Sequence, residues 1–222
     1  PIFWIALLAV VLAVGLAYFY LFFPKVQVLQ VQVSGNQALE GKDWDMGGSY
    51  FMGNAIFSKF PLVNQRHVFV QIKDVTSDSY EDESRVYVEV DLKINGRNLR
   101  VGTVHLSFTP FFTITPKRQA EANKLLGAIA KNTKAFILTG DMNSLPDSTI
   151  IKSLNSSLKN AGPDLLEKTF TTKPFSYLGF DAKGLDYRLD YVFTTPDVKV
   201  LSSKIIKTGF SDHLPILAEI EI

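Results

Sequence analysis

The chain of 222 residues contains no cysteine. Disulfide frameworks, thiolate zinc sites and cysteine nucleophiles are therefore excluded, while either redox compartment stays open. No G-x-S-x-G elbow is present, so the usual sequence signature of an acyl-transferring serine is missing too. Charge is scarce in the sum: the net value is +1, and the chain as a whole exerts no strong pull on nucleic acid, although a local patch can still steer. There is no internal repeat, low-complexity tract or second linker. The polar, acidic run at residues 74–83 (DVTSDSYEDE) reads as a solvated loop between strands.

What is present begins with residues 2–23, an uncharged and almost wholly apolar stretch (IFWIALLAVVLAVGLAYFYLFF) closed by Pro24. It is longer than a signal-peptide core and lacks an A-x-A-like cleavage site. A run of ~20 apolar residues spans a bilayer as a helix. Trp4 near one end, and Tyr18 and Tyr20 near the other, are placed as in interfacial aromatic belts. The expectation is one transmembrane helix over residues 1–24, a single-pass membrane location, and one domain over residues 25–222. Lys25 alone does not orient the span, so the side of the membrane stays open.

Hydrophobic periodicity organises the rest. Residues 26–33 (VQVLQVQV) alternate with the period of a strand, and residues 55–57 and 67–72 read as further short strands. Residues 85–94 and 99–106 alternate on either side of Asn95-Gly96, the strongest short signal for an antiparallel hairpin. Residues 116–131 carry Ala120, Leu125, Leu126, Ala128 and Ile129 at helical spacing behind Pro116. A strand at 136–138, a short helix at 148–158, and strands at 189–194, 198–206 and 215–222 complete the pattern. Strands dominate, with two helices. That favours packed sheets with helices outside over a doubly wound parallel sheet, which needs strict strand–helix alternation.

Polar residues that end apolar runs carry the chemistry. Asp141 and Asn143 follow the run AFIL at 135–138 and bring a carboxylate and an amide together; Asp, Asn, Ser and Pro in succession also make an ordinary turn. Asp190 stands inside the apolar run RLDYVF. It faces water if the strand is at an edge, and wants a cationic or N–H partner, naturally a histidine, if it is buried. Of the three histidines, His213 adjoins Asp212 ahead of an apolar strand. His105 lies within a strand, where a satisfied half-buried ring is the alternative, and His67 reads as surface.

The ordered pieces GNAIFSKFPL, VGTVHLSF, ILTGDMNSLPDS, RLDYVFTT and GFSDHLPI resemble the endonuclease/exonuclease/phosphatase superfamily, with its deoxyribonuclease-I-like fold, across residues 53–222. The resemblance implies an α/β fold: a four-layer α/β sandwich of two packed mixed sheets flanked by helices. It implies a divalent-metal-dependent phosphoester hydrolase, a nuclease-like phosphodiesterase, with Mg²⁺ or Mn²⁺ as cofactor. The nucleophile would be a water activated by a His–Asp pair. By that resemblance Asp141 orients or activates the water or helps hold the metal, Asn143 binds the scissile phosphate, and His105 donates to it. Asp190 orients His213, Asp212 is associated with the metal, and His213 is the general base or the stabiliser of the pentacovalent phosphorus.

The resemblance also implies a departure. The family places a Gln-Glu element, whose glutamate is the principal metal ligand, after its first strand and helix. Here Gln32 and Phe51 are too close to hold both, so the domain reads as shortened between residues 33 and 52. Glu40 or Asp43 would have to substitute, or the chain is a deleted gene product, or it is a catalytically impaired, membrane-tethered module that binds a phosphorylated ligand. The substrate is a phosphodiester, either nucleic acid or a lipid headgroup. Lys117 and Arg118 are candidate phosphate contacts. Phe108, Phe111 and Phe112 are either an apolar rim or a loop packed on its own domain. No protein partner is implied.

Overall fold

The computed structural model describes residues 27–30, 53–73, 76, 83–133 and 135–221, the first segment by its backbone alone. The proposed membrane span and the shortened region at 33–52 lie outside the described residues. Among the described residues no helix is long and apolar enough to cross a membrane.

Strand β1 (Gln27–Gln30) pairs antiparallel with β2 (Ala55–Ser58). Then come β3 (Leu62–Gln71), β4 (Arg85–Ile94) and β5 (Arg97–His105), and helix α1 (Pro116–Ile129) leads to β6 (Phe136–Asp141). Helix α2 (Thr149–Asn155) and the short strands β7 (Lys159–Asn160), β8 (Phe175–Tyr177) and β9 (Phe180–Ala182) follow. The last strands are β10 (Asp190–Thr194), β11 (Lys199–Ile205) and β12 (Ile216–Glu221). One six-stranded sheet, in the order β3-β4-β5-β6-β10-β7, forms the body.

Local chemistry explains the elements. Asn95 and Gly96 both take positive φ, 49° and 81°, as a two-residue primed turn requires, and β4 and β5 pair directly across them. The parallel pair β5–β6 needs a crossover, and α1 supplies it. Thr115 caps that helix by accepting from the Arg118 N–H at 3.3 Å, and Pro116 occupies the first turn, where no N–H is missed.

The sheet is buried on both faces. Tyr87, Val104, Phe136, Leu138, Tyr191 and Phe193 pack against Ala122, Leu125 and Ile129 of α1 and against Ile150, Ile151 and Leu154 of α2. Alternation along β4 sends Val86, Val88 and Val90 the other way, where Ile56 of β2 covers them. The inward stripe of α1 is Arg118, Glu121, Ala122, Leu125 and Ile129; Ala120, expected on the apolar face, is exposed. The helix is turned so that its first polar residues reach the loops after β5 and β6, and those contacts outweigh an alanine methyl.

This is a mixed α/β sandwich with a six-stranded sheet and two helices. The expected second mixed sheet is not formed among the described residues, whose remaining strands make three separate antiparallel pairs, β1–β2, β8–β9 and β11–β12; both helices pack into the core on one face of the large sheet. Strands β7, β8 and β9 fall in residues 159–182, where the sequence shows no usable periodicity.

One position holds the centre of the sheet together. Gly140 in β6 has φ 146°, and a Cβ there would lie 1.9 Å from the carbonyl oxygen of Val104 on β5. The obstacle is backbone, so no side chain can yield. Gly140→Ala is expected to cost about 3 kcal/mol or more. Urea denaturation of the variant beside the parent measures it, with a shift below about 1 kcal/mol contradicting the expectation.

Candidate active site

The register of three neighbouring strands builds the site. His105, the last residue of β5, stands opposite Asp141, the last of β6, and Asp141 stands opposite Asp190, the first of β10. Three polar residues thus end up side by side at one edge of the sheet. The fourth arrives from a loop: His213 bridges to Phe170, and the peptide around it is fastened by Thr172 N–H to the Asp212 carbonyl at 2.9 Å and by Leu214 N–H to the Thr169 carbonyl at 2.8 Å. Thr169 Oγ1 also accepts from the N–H groups of Leu189 and Asp190, at 3.1 and 3.2 Å. One buried threonine therefore holds the segments that carry Asp190 and His213.

His213 Nδ1 lies 2.8 Å from Asp190 Oδ2, which fixes the ring and leaves Nε2 directed at Asp141, 3.8 Å from its Oδ2. His105 Nε2 approaches the same Oδ2 at 3.5 Å. The other carboxylate oxygen of Asp141 accepts the Asn143 N–H at 2.8 Å, within a turn in which Asn143 takes φ 43°. The Asn143 amide donates to the Leu106 carbonyl at 2.9 Å, tying the loops after β5 and β6 together and leaving a second N–H for a ligand. Asp212 is exposed at the rim, and its Oδ1 accepts from Ser211 Oγ at 3.2 Å.

His105, Asp141, Asn143, Asp212 and His213 line a cleft of about 190 Å³, whose other wall is Phe108, Phe170, Phe175, Tyr177 and Leu189. The ring of Phe170 covers the His213 ring at a centroid distance of 4.7 Å. Phe108 and Phe112 belong to a buried aromatic cluster with Phe170 and Phe180, so that loop packs on its own domain; only Phe111, 63 % exposed, is left outside as a rim. His67 is exposed and away from the cleft, as its sequence setting suggests.

Electrostatics sharpen the roles. Burial above all, and next the charge of Asp190, raise the Asp141 carboxyl to about 7. Burial pulls His213 down, but the hydrogen bond and charge of Asp190, with the charges of Asp141 and Asp212, outweigh it and raise the ring to about 9. Burial, and then the positive charges of Arg85 and His213, hold His105 well below the usual histidine range. The site therefore pairs a neutral and a charged imidazole around one carboxylate. Asp141, Asp190 and His213 each place a potential ligand atom within 4.8 Å of the others. Two crowded carboxylates, one held partly protonated by burial, form a hard-oxygen set that suits Mg²⁺ or Mn²⁺. Asp190 engages His213 Nδ1 through Oδ2 alone, and Asp212 stands at the rim, outside this cluster. Glu40 and Asp43 lie outside the described residues.

One expected contact is placed elsewhere and some working residues went unforeseen. Arg118 is fully buried. Its guanidinium donates to the Met142 carbonyl at 3.0 Å, to Ser144 Oγ at 2.8 Å and to Thr109 Oγ1 at 3.3 Å. It braces the loop that carries Asn143 and does not face the cleft. Arg85, which opens β4 and reads in the sequence as an ordinary strand start, is a buried positive charge that lowers both His105 and Asp141. Arg188 is buried as well, and donates to the carbonyls of Asp190, Asp164 and Glu167. The single alternating pair Phe175 and Tyr177 was the only local signal for that part of the aromatic wall, and it is too short to stand out.

The sequence profile of the Endonuclease/Exonuclease/phosphatase family matches residues 3–213. Among solved structures, the human Nocturnin catalytic domain with bound sulfate anion superposes with a TM-score of 0.61 at 19 % identity, over 92 % of this chain and 74 % of that one. D. rerio TDP2 complexed with single strand DNA product gives 0.55 at 17 %, over 95 % and 91 %. The Bacteroides thetaiotaomicron VPI-5482 mannosyl-6-phosphatase Bt3783 gives 0.55 at 18 %, over 76 % and 70 %. At such identities the likeness is one of fold. No curated protein sequence matches the chain.

The raised His213 has a measurable consequence. Because its folded pKa of about 9 exceeds the ordinary 6.5, its proton stabilises the fold fully below about pH 6.5, and that contribution is lost as pH rises through about 9. Asp190→Asn removes the ring's main upward influence. Its NMR titration is expected to fall toward the ordinary histidine value, and the alkaline loss of stability to flatten; an unchanged titration would show that Asp190 does not hold the proton.

Proposed function

Because this chain belongs to the endonuclease/exonuclease/phosphatase family, we propose that it is a divalent-metal-dependent phosphodiesterase whose nucleophile is water. The observation that carries this reading is the His213–Asp190 pair, 2.8 Å apart, facing the buried carboxylate of Asp141 across one cleft. Asp190 sets the tautomer of His213 and directs Nε2 inward. In its charged form Nε2–H donates to a phosphoryl oxygen, and in its neutral form it accepts the proton of the attacking water. Asp141, 3.8 Å from Nε2, orients that water. Asn143 offers its second amide N–H, and His105, held neutral, one ring N–H to the phosphate oxygens. Asp141, with Asp212 at the rim, would hold a hard cation, which would supply positive charge beside the phosphoryl oxygens and offset the negative charge that keeps His213 protonated. No covalent enzyme intermediate is needed, in keeping with a chain without cysteine.

The aromatic wall supports a substrate with an apolar or flat substituent beside the phosphate. We also infer a single-pass membrane location from residues 2–23, supported by their length and lack of charge. Sedimentation of the chain with membranes, resistant to alkaline carbonate, is the expected result, and release by carbonate would argue against it.

Hydrolysis of bis-p-nitrophenyl phosphate by the purified chain tests the catalytic reading. Turnover is expected with Mg²⁺ or Mn²⁺ and not with EDTA, and His213→Ala is expected to lower kcat by about 10²–10⁴-fold. A well-folded protein without metal-dependent turnover would instead favour a phosphate-ligand-binding module on the same fold.

A further inference from the structure

Beside the catalytic cleft lies a second hollow of about 370 Å³, larger than the cleft itself. The two share Phe175 and Asp212 as a common wall. The floor is preformed. Thr172 N–H donates to the Asp212 carbonyl at 2.9 Å, the Thr172 hydroxyl donates to the Ser211 carbonyl, and Thr171 Oγ1 donates to the Lys173 carbonyl at 2.7 Å. Residues 171–173 are thus fastened to the loop that carries His213. Phe175 flanks one side, and Phe210, 98 % exposed, stands on the other. Lys173 lines the same hollow and is exposed.

We propose that this hollow is a second substrate subsite, which takes a flat aromatic ring bearing an anionic group, as in a nucleotide residue, joined to the phosphoester at His213 and Asp141. The proposal rests on the phosphodiesterase reading and names its substrate class. Three features carry it. First, a phenylalanine ring held out in water loses exposed apolar area only when something covers it, and a flat ring covers it best. Second, Lys173 is a compact positive charge suited to a phosphate. Third, Asp212 stands at the boundary with the catalytic cleft and repels a second anion placed next to it. A ligand that satisfies all three puts its ring between two phosphates: one in the catalytic cleft, one near Lys173, and the ring along Phe210. A nucleotide residue with a phosphate on either side has that order of parts. An acyl chain has apolar length but nothing for Lys173.

The test uses the purified chain and two probes: the dinucleotide pdTpdT, which reaches both hollows, and glycerophosphoglycerol, an acyclic phosphodiester with no ring to place against Phe210. Binding of pdTpdT in EDTA, measured by calorimetry, is expected to weaken about tenfold in Phe210→Ala, as for loss of a base–aromatic stack. It is expected to weaken a few-fold in Lys173→Ala, and only the lysine effect should fade at high salt. In metal-activated turnover, both variants should lose several-fold more kcat/KM on pdTpdT than on glycerophosphoglycerol. Equal affinity of parent and variants for pdTpdT would overturn the proposal, as would equal losses on both substrates. So would a Phe210→Ala variant that loses binding to phosphatidylcholine vesicles while binding pdTpdT as the parent does. A parent that fails to hydrolyse either probe sinks the phosphodiesterase reading, and the calorimetric comparison still decides the subsite.

Discussion

Everything at the active edge depends on the strand register around β6. The parallel pairing with β5 and the antiparallel pairing with β10 set His105, Asp141 and Asp190 in one row. Strand side chains alternate, so a slip of one residue in either pairing would turn the row away from the cleft. Gly140 enforces the pairing by letting the Val104 carbonyl come where a Cβ would otherwise lie. Hydrogen-bonded backbone therefore sets the spacing of His105, Asp141 and Asp190.

That row concentrates negative charge in a place where water is scarce. Asp141 responds by rising to about 7, and His213 by holding its proton to about 9. The two shifts express one imbalance, felt from opposite sides: the carboxylates need positive charge, and the histidine supplies part of it. Such a site is poised to accept a cation and an anionic substrate together, because each relieves the cost of the other. Buried Arg85 adds a further positive charge from β4 and keeps the imbalance within bounds.

Around this charged row buried hydrogen bonds supply stiffness. Thr169 gathers the Asp190 and His213 segments, Arg118 braces the loop carrying Asn143, and Tyr191 donates to the Ser144 carbonyl at 2.8 Å. Glu121, raised by its burial, accepts from the Ser107 N–H at 3.1 Å and so holds the chain just after His105. The aromatic cluster closes the other side, with Phe108 and Phe180 at 5.8 Å and Phe112 and Phe180 at 5.1 Å. The segments carrying His105, Asn143, Asp190 and His213 are thereby held from behind by buried partners, as a site on rigid elements requires.

The sequence by itself determined the elements whose causes are local. The Asn95-Gly96 turn and its two flanking strands, helix α1, and the starts of the strands that lead to His105 and Asp141 were legible, because alternation, caps and turn residues act within a few positions; that β6 runs on through Asp141 was not. It also determined which residue types were available for chemistry, and their order along the chain. Only the tertiary structure decided that residues 105, 141, 190 and 213 share one cleft, since strand order and register are set by contacts far apart in sequence. It likewise decided that Arg118 is a brace and not a phosphate contact, that Ala120 faces water, and that Phe175 and Tyr177 wall the site. Those outcomes depend on which loop packs on which helix, and on how much water each charge keeps, and neither is written in local periodicity.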